Sequence, residues 1–157
     1  MALQVGDLAP DFSLLDSDDQ RVSLQDLRGG WVVLYFYPKD LTPGCTKEAC
    51  GFRDRYSDFT GRKGEILGIS PDSPETHRRF RAKHGLPFRL LSDADSQVAM
   101  AYGSYGPKQF MGKSYVGVYR QTFVIDPDGR IGRIYRKVKP EGHALEVLTD
   151  WADLVQG

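Results

Sequence analysis

The sequence predicts an α/β fold, a central mixed β-sheet flanked by helices. Three observations carry that expectation. The runs WVVLYFYP (31–38) and EILGIS (65–70) are almost free of polar residues, as in strands buried on both faces. Each run leads into a segment with helical spacing, giving the strand–helix–strand order of a layered sheet. Near the end, RQTFVIDPDGRIGRIYRKV (120–138) places two strand-like runs around Asp-Pro-Asp-Gly, a turn sequence that predicts an antiparallel hairpin.

The elements follow in order. DFSLLDSDDQRVSLQDLRGG (11–30) has two short alternating runs around a polar turn and predicts a hairpin or a strand and turn. After the first buried strand, Phe52, Tyr56 and Phe59 recur at spacings of four and three, predicting a helix over 46–60. In SPETHRRFRAKHG (73–85), Ser73 reads as an N-cap, Pro74 as the first helical residue and Gly85 as the stop. FRLLSD (88–93) reads as a third strand and SQVAMAYG (96–103) as a short helix closed by glycine. Residues 103–117, rich in Gly, Ser and Tyr, read as an irregular loop. HALEVLTDWADLVQ (143–156) repeats Leu145, Leu148, Trp151 and Leu154 at helical spacing and predicts a closing helix.

At 157 residues without repeat or linker, the chain is expected to form one domain over 1–157. Its 21 basic and 21 acidic side chains cancel, so no electrostatic argument points to nucleic acid or an acidic membrane surface. The basic stretch HRRFRAKHG is flanked by PDSPE and SDAD and reads as a solvated helix face. No run approaches the roughly 18 apolar residues of a membrane span. The start, MALQVGDLAPDF, resembles no leader, so a cytoplasmic location is expected.

The two cysteines, Cys45 and Cys50, are too few for a secreted disulfide scaffold. Both stand just beyond the first buried strand, in TPGCTKEAC, where active groups of open α/β sheets gather. If Cys45 starts the helix, as Pro43-Gly44 suggests, unpaired N–H groups and the helix dipole favour its thiolate. Thr42 offers a hydroxyl within one turn, while Pro38 and Pro43 stiffen the loop and shield the sulfur. On an ideal helix, five residues correspond to about 140° and a rise of about 7.5 Å, or about 8.6 Å between Cα atoms. A disulfide tolerates about 7 Å, so the pair cannot bond while both residues are helical. Spacing alone leaves two readings open: a redox-active pair, or two buried inert thiols. Zinc is poorly supported, because His77, His84 and His143 are scattered and each reads as a surface residue. The Cys-x-x-Cys of dithiol reductases is absent.

The string from Pro38 through Thr42 to Cys45, PKDLTPGC, matches the Pro-x-x-x-Thr-x-x-Cys signature of peroxiredoxins. The following CTKEACGFRDRY resembles the Q-type, or bacterioferritin comigratory protein, branch, whose second cysteine lies five residues after the first. APDFSLLD, GISPDSPETHRRF and RQTFVIDPDGRI stand in the family's order, so the likeness spans nearly the whole chain. The resemblance implies a thioredoxin-like fold and a thiol peroxidase. Cys45 corresponds to the peroxidatic cysteine, Cys50 to the resolving cysteine and Arg120 to the arginine that points at the peroxidatic sulfur. It implies that Thr42 sets its hydroxyl against thiolate and peroxide and that Pro38 shapes the pocket. Glu48 stands where this branch often has glutamine, with orienting Arg120 as one role. The implied substrates are hydrogen peroxide and small organic hydroperoxides. An intramolecular Cys45–Cys50 disulfide is implied, reduced by thioredoxin or a similar dithiol, in a monomer and with no cofactor or metal. No exposed apolar stripe stands out to argue for a larger assembly. The competing reading is a non-catalytic redox sensor or switch using the same disulfide; an inert interaction domain is a third.

Overall fold

A computed structural model describes residues 3–61 and 64–156 of the chain. The ends of the expected 1–157 domain, and residues 62 and 63, lie outside them. Nine strands and five α-helices follow one another along these residues. They begin with β1 (Ser13–Asp16), β2 (Arg21–Ser23) and β3 (Trp31–Phe36), followed by α1 (Pro43–Asp54) and α2 (Tyr56–Thr60). Next come β4 (Gly64–Ser70), α3 (Pro74–His84), β5 (Arg89–Ser92) and α4 (Gln97–Ala101). The chain continues through β6 (Tyr105–Phe110), β7 (Lys113–Val118), β8 (Gln121–Ile125), β9 (Ile131–Tyr135) and α5 (His143–Gln156).

Seven strands form one mixed sheet in the order β2-β1-β5-β4-β3-β8-β9. β3, β4 and β5 run parallel, and β8 lies antiparallel to β3 on its other side. This is a thioredoxin-like fold, a mixed sheet with helices on both faces. Period-two alternation in β3 divides the core. Val33, Tyr35 and Tyr37 pack with Ala49, Phe52 and Phe59 under α1, α2 and α5. Val32, Leu34 and Phe36 pack on the opposite face with Phe12, Ala99, Tyr102 and Phe123. Tyr35 stacks on Phe52 with ring centroids 4.9 Å apart, which fixes α1 against the sheet.

α3 forms where its caps predict. Ser73 Oγ accepts the Thr76 amide, Pro74 opens the helix and Gly85 ends it at φ 61°. Its basic residues face outward and meet acidic neighbours, as in Arg79 with Glu75 and Arg78 with Asp19. Three expectations need correction. Residues 103–117 do not form an irregular loop: β6 and β7 pair as a two-stranded ribbon through Met111 and Gly112, both at positive φ. That ribbon exposes Phe110, Met111, Tyr115 and Val116, an apolar surface that the sequence did not suggest. The helix expected over 46–60 begins earlier and breaks at Arg55, dividing into α1 and α2. No described helix is long and apolar enough to cross a membrane.

Candidate active site

β3 ends at Phe36, and six residues carry the chain from its carboxyl end to α1. This short link is held from below. Tyr37 Oη donates to Asp40 Oδ1, and His77 Nδ1 from α3 meets Asp40 Oδ2; all three side chains are buried. His77 Nε2 faces the Leu91 carbonyl at 3.1 Å, an acceptor, so this nitrogen carries a proton. The Asp40 amide donates to Asp72 Oδ2 at 2.8 Å. Next in the chain, Leu41 takes φ 65°, a left-handed conformation that costs a non-glycine residue free energy. The anchors on Asp40 hold that turn in place.

Thr42 is the N-cap of α1, Pro43 its first residue, and Cys45 lies within the first turn rather than starting the helix. Thr42 Oγ1 donates to the Lys39 carbonyl at 2.8 Å and makes no capping bond. The positive end of the α1 dipole is therefore uncapped by a side chain beside Cys45. Cys45 is buried, just beneath an open groove of about 710 Å³ whose lining includes Pro38, Thr42, Pro43, Gly44, Lys108 and Arg120.

Arg120 precedes β8, which pairs directly with β3, so the sheet order brings it to the start of α1. Its Nη2 donates to Cys45 Sγ at 3.3 Å and its Nη1 to Glu48 Oε1 at 2.7 Å. Gly44 gives it room: a Cβ there would lie 3.2 Å from Nη2. Glu48 is fully buried, and its Oε2 has no hydrogen-bond partner among the described residues. Burial pushes its carboxyl up to about 7, against the pull of the Arg120 charge. Burial likewise lowers Lys108, with repulsion from Arg120 adding to it.

The structure thus brings together Pro38, Thr42, Cys45, Glu48 and Arg120. Cys50 lies in the second half of the same helix, half-exposed, and both cysteines are free. With both in α1, no bond joins them in this conformation. Two of the three histidines depart from their expected surface positions. His77 and His143 are buried, the latter against Thr122 Oγ1 and Glu146. The signal for His77 was its spacing to Phe80, which shares the core face of α3. Nothing in the sequence marks Asp40 as its partner. Among the described residues, no group of three or more His, Cys, Asp or Glu could hold a metal ion.

A buried cysteine in the first turn of a helix, facing an arginine just ahead of a strand in a thioredoxin-like sheet, is an arrangement suited to thiol redox chemistry. The AhpC/TSA family model matches residues 5–134, and the chain belongs to that family, in its Q-type (bacterioferritin comigratory protein) peroxiredoxin branch. Peroxiredoxin Bcp of Bacillus subtilis is 45% identical over 154 residues, covering 98% of each chain. The crystal structure of a PrxQ cysteine-to-serine mutant from Xylella fastidiosa superposes with a TM-score of 0.92 at 35% identity, covering 98% of each chain. The bacterioferritin comigratory protein of Xanthomonas campestris, solved as trapped intermediate and ligand complexes bearing on its alkyl peroxide reduction, superposes at 0.87 with 38% identity over 92% of each chain. The chain is accordingly a thiol peroxidase of the peroxiredoxin class.

Proposed function

We propose that Cys45 is the peroxidatic nucleophile for hydrogen peroxide and small organic hydroperoxides, with Cys50 resolving its sulfenic acid. The observation that carries this reading is the Arg120 Nη2–Cys45 Sγ contact of 3.3 Å at the uncapped start of α1. The alkyl peroxide activity of the Xanthomonas campestris relative supports the organic part of the substrate range.

The Cys45 thiolate attacks one peroxide oxygen. The S–O bond forms, the O–O bond breaks and water or alcohol departs after taking up a proton. Arg120 and the first amides of α1 stabilise the charge that moves onto the departing oxygen. Thr42 and Pro38 bound the groove at that point, so their role is to orient the peroxide. The first turns of α1 then unwind, Cys50 displaces water from Cys45–SOH, and the intramolecular disulfide forms. Thioredoxin or a similar dithiol reduces it and returns two thiols; sulfur carries both electrons throughout.

A thioredoxin-coupled assay tests the resolving step. The Cys50→Ser variant is expected to consume about one equivalent of peroxide and then stop cycling, because no intramolecular disulfide forms. Full steady-state turnover by Cys50→Ser would remove Cys50 from the mechanism. Fast oxidation also separates the enzyme from a non-catalytic redox switch, which reacts with peroxide no faster than a free thiol.

A further inference from the structure

Cys45 and Glu48 stand three residues apart on one face of α1, and a single guanidinium lies between them. Both are buried acids. If both ionise, the pocket holds two negative charges against one positive charge, away from water. If one ionises, the charges cancel. The free oxygen of Glu48 sharpens the point, because no described group donates to Oε2 and it is a natural place for a proton.

We propose that Glu48 and Cys45 share one proton across Arg120, with Glu48 taking up the proton that Cys45 gives up when its thiolate forms. The proposal rests on the reading of Cys45 as the nucleophile. Cys45–SH and Glu48–COO⁻ become Cys45–S⁻ and Glu48–COOH, so the total charge of the pocket does not change. Attack on ROOH then oxidises the sulfur to S–OH and leaves RO⁻, which needs one proton. That is the number Glu48 has held, and once the sulfur is neutral Arg120 pairs again with the Glu48 carboxylate. The sum is thiol plus hydroperoxide giving sulfenic acid plus alcohol, with no net proton exchanged.

The surroundings allow this exchange to dominate near neutral pH. Tyr35 on β3 faces both acids, and burial raises its phenol well above its ordinary value, so it stays neutral. His143 at the start of α5 is lowered by burial and is uncharged there. Lys108 from β6 feels Arg120 and Cys45 from the groove side. Asp40, from the link after β3, is committed to Tyr37 and His77. Among the described residues, Arg120 is the one cation that touches both acids. Glu48, pushed up to about 7 by burial, titrates where sharing matters.

The test compares Cys50→Ser and Cys50→Ser/Glu48→Gln proteins as full chains, with the fold checked by circular dichroism. Thiolate is followed by its ultraviolet absorbance and by alkylation with iodoacetamide, neither of which requires peroxide turnover. Removing the competing anion leaves Arg120 to Cys45 alone. Alkylation is then expected to coincide in the two proteins at about pH 5.5, where Glu48 already holds a proton, and to be about twofold faster in the Gln variant at about pH 8, where the parent divides one proton between the two acids. In the protein that keeps Glu48, infrared spectra with labelled glutamate should show the carboxylic-acid band persisting after the thiolate has appeared. Superimposable pH profiles, or a uniformly slower Gln variant with an unchanged profile, would overturn the proposal and leave Glu48 as a positioner of Arg120. Loss of the carboxylic-acid band before thiolate appears would overturn it without any substitution at Glu48. Failure of the peroxidatic reading is seen separately, in a Cys45→Ser protein that still consumes peroxide.

Discussion

A carboxylate taken into a protein interior ordinarily brings enough partners to balance its loss of water, and among the described residues Glu48 has one cation, on one oxygen. Its proton affinity therefore differs between the folded and unfolded chain, and stability must depend on pH. Burial raises the folded value from the ordinary 4.5 to about 7. Between those values the folded state holds a proton that the unfolded state has released. Stability from this group is fully present below about 4.5 and is lost as pH rises through about 7. The shift corresponds to about 3 kcal/mol at most. Urea unfolding of Glu48→Gln should therefore show a gain over wild type at pH about 8 that vanishes near pH 4. An equal difference at both pH values would show that Glu48 keeps an ordinary carboxyl affinity in the fold. At this scale the sequence was informative where chemistry imposes a fixed spacing. Pro38, Thr42, Cys45 and Cys50 form one local pattern, whereas Asp40 and His77 meet through a long-range contact that has none.

α1 has two demands on it. On the proposed mechanism it must be stable enough to hold Cys45 against Arg120, and weak enough to open for Cys50. Phe52 anchors its far end under Tyr35, whereas Gly51 sits inside the helix at a cost of about 0.5–1 kcal/mol relative to alanine. A methyl at Gly51 would meet only the Ala144 Cβ, at 3.4 Å, so the space for it exists. Gly51→Ala is thus expected to stabilise α1 by up to about 1 kcal/mol and to slow disulfide formation about two- to fivefold. Sulfinic acid at Cys45 should rise in step, since the sulfenic acid waits longer for Cys50. Stopped-flow fluorescence of the resolving step, with mass spectrometry of the product, measures both. Unchanged resolution in a stabilised variant would mean that opening does not reach Gly51. Element prediction worked where caps and periodicity agree, as in α3 and the β8–β9 hairpin. It missed β6 and β7 because Gly106, Pro107 and Gly117 interrupt their alternation and the ribbon pairs only with itself.

Across the whole molecule, the buried runs of β3 and β4 announced a sheet covered on both faces, and β3 divides its side chains between the two cores as period two requires. The strand order was not legible, because it depends on which hydrophobic faces meet after the chain collapses. That order is what completes the site. β8 lies beside β3, so Arg120 reaches a sulfur 75 residues away in the chain. The motif around Cys45 therefore describes half of a machine whose other half the sheet supplies. The most direct test is the rate at which reduced protein consumes hydrogen peroxide, followed by stopped flow in wild type and Cys45→Ser. Fast oxidation of wild type, and a Cys45→Ser protein no faster than a free thiol, is the predicted result; wild-type consumption by Cys45→Ser would contradict the account.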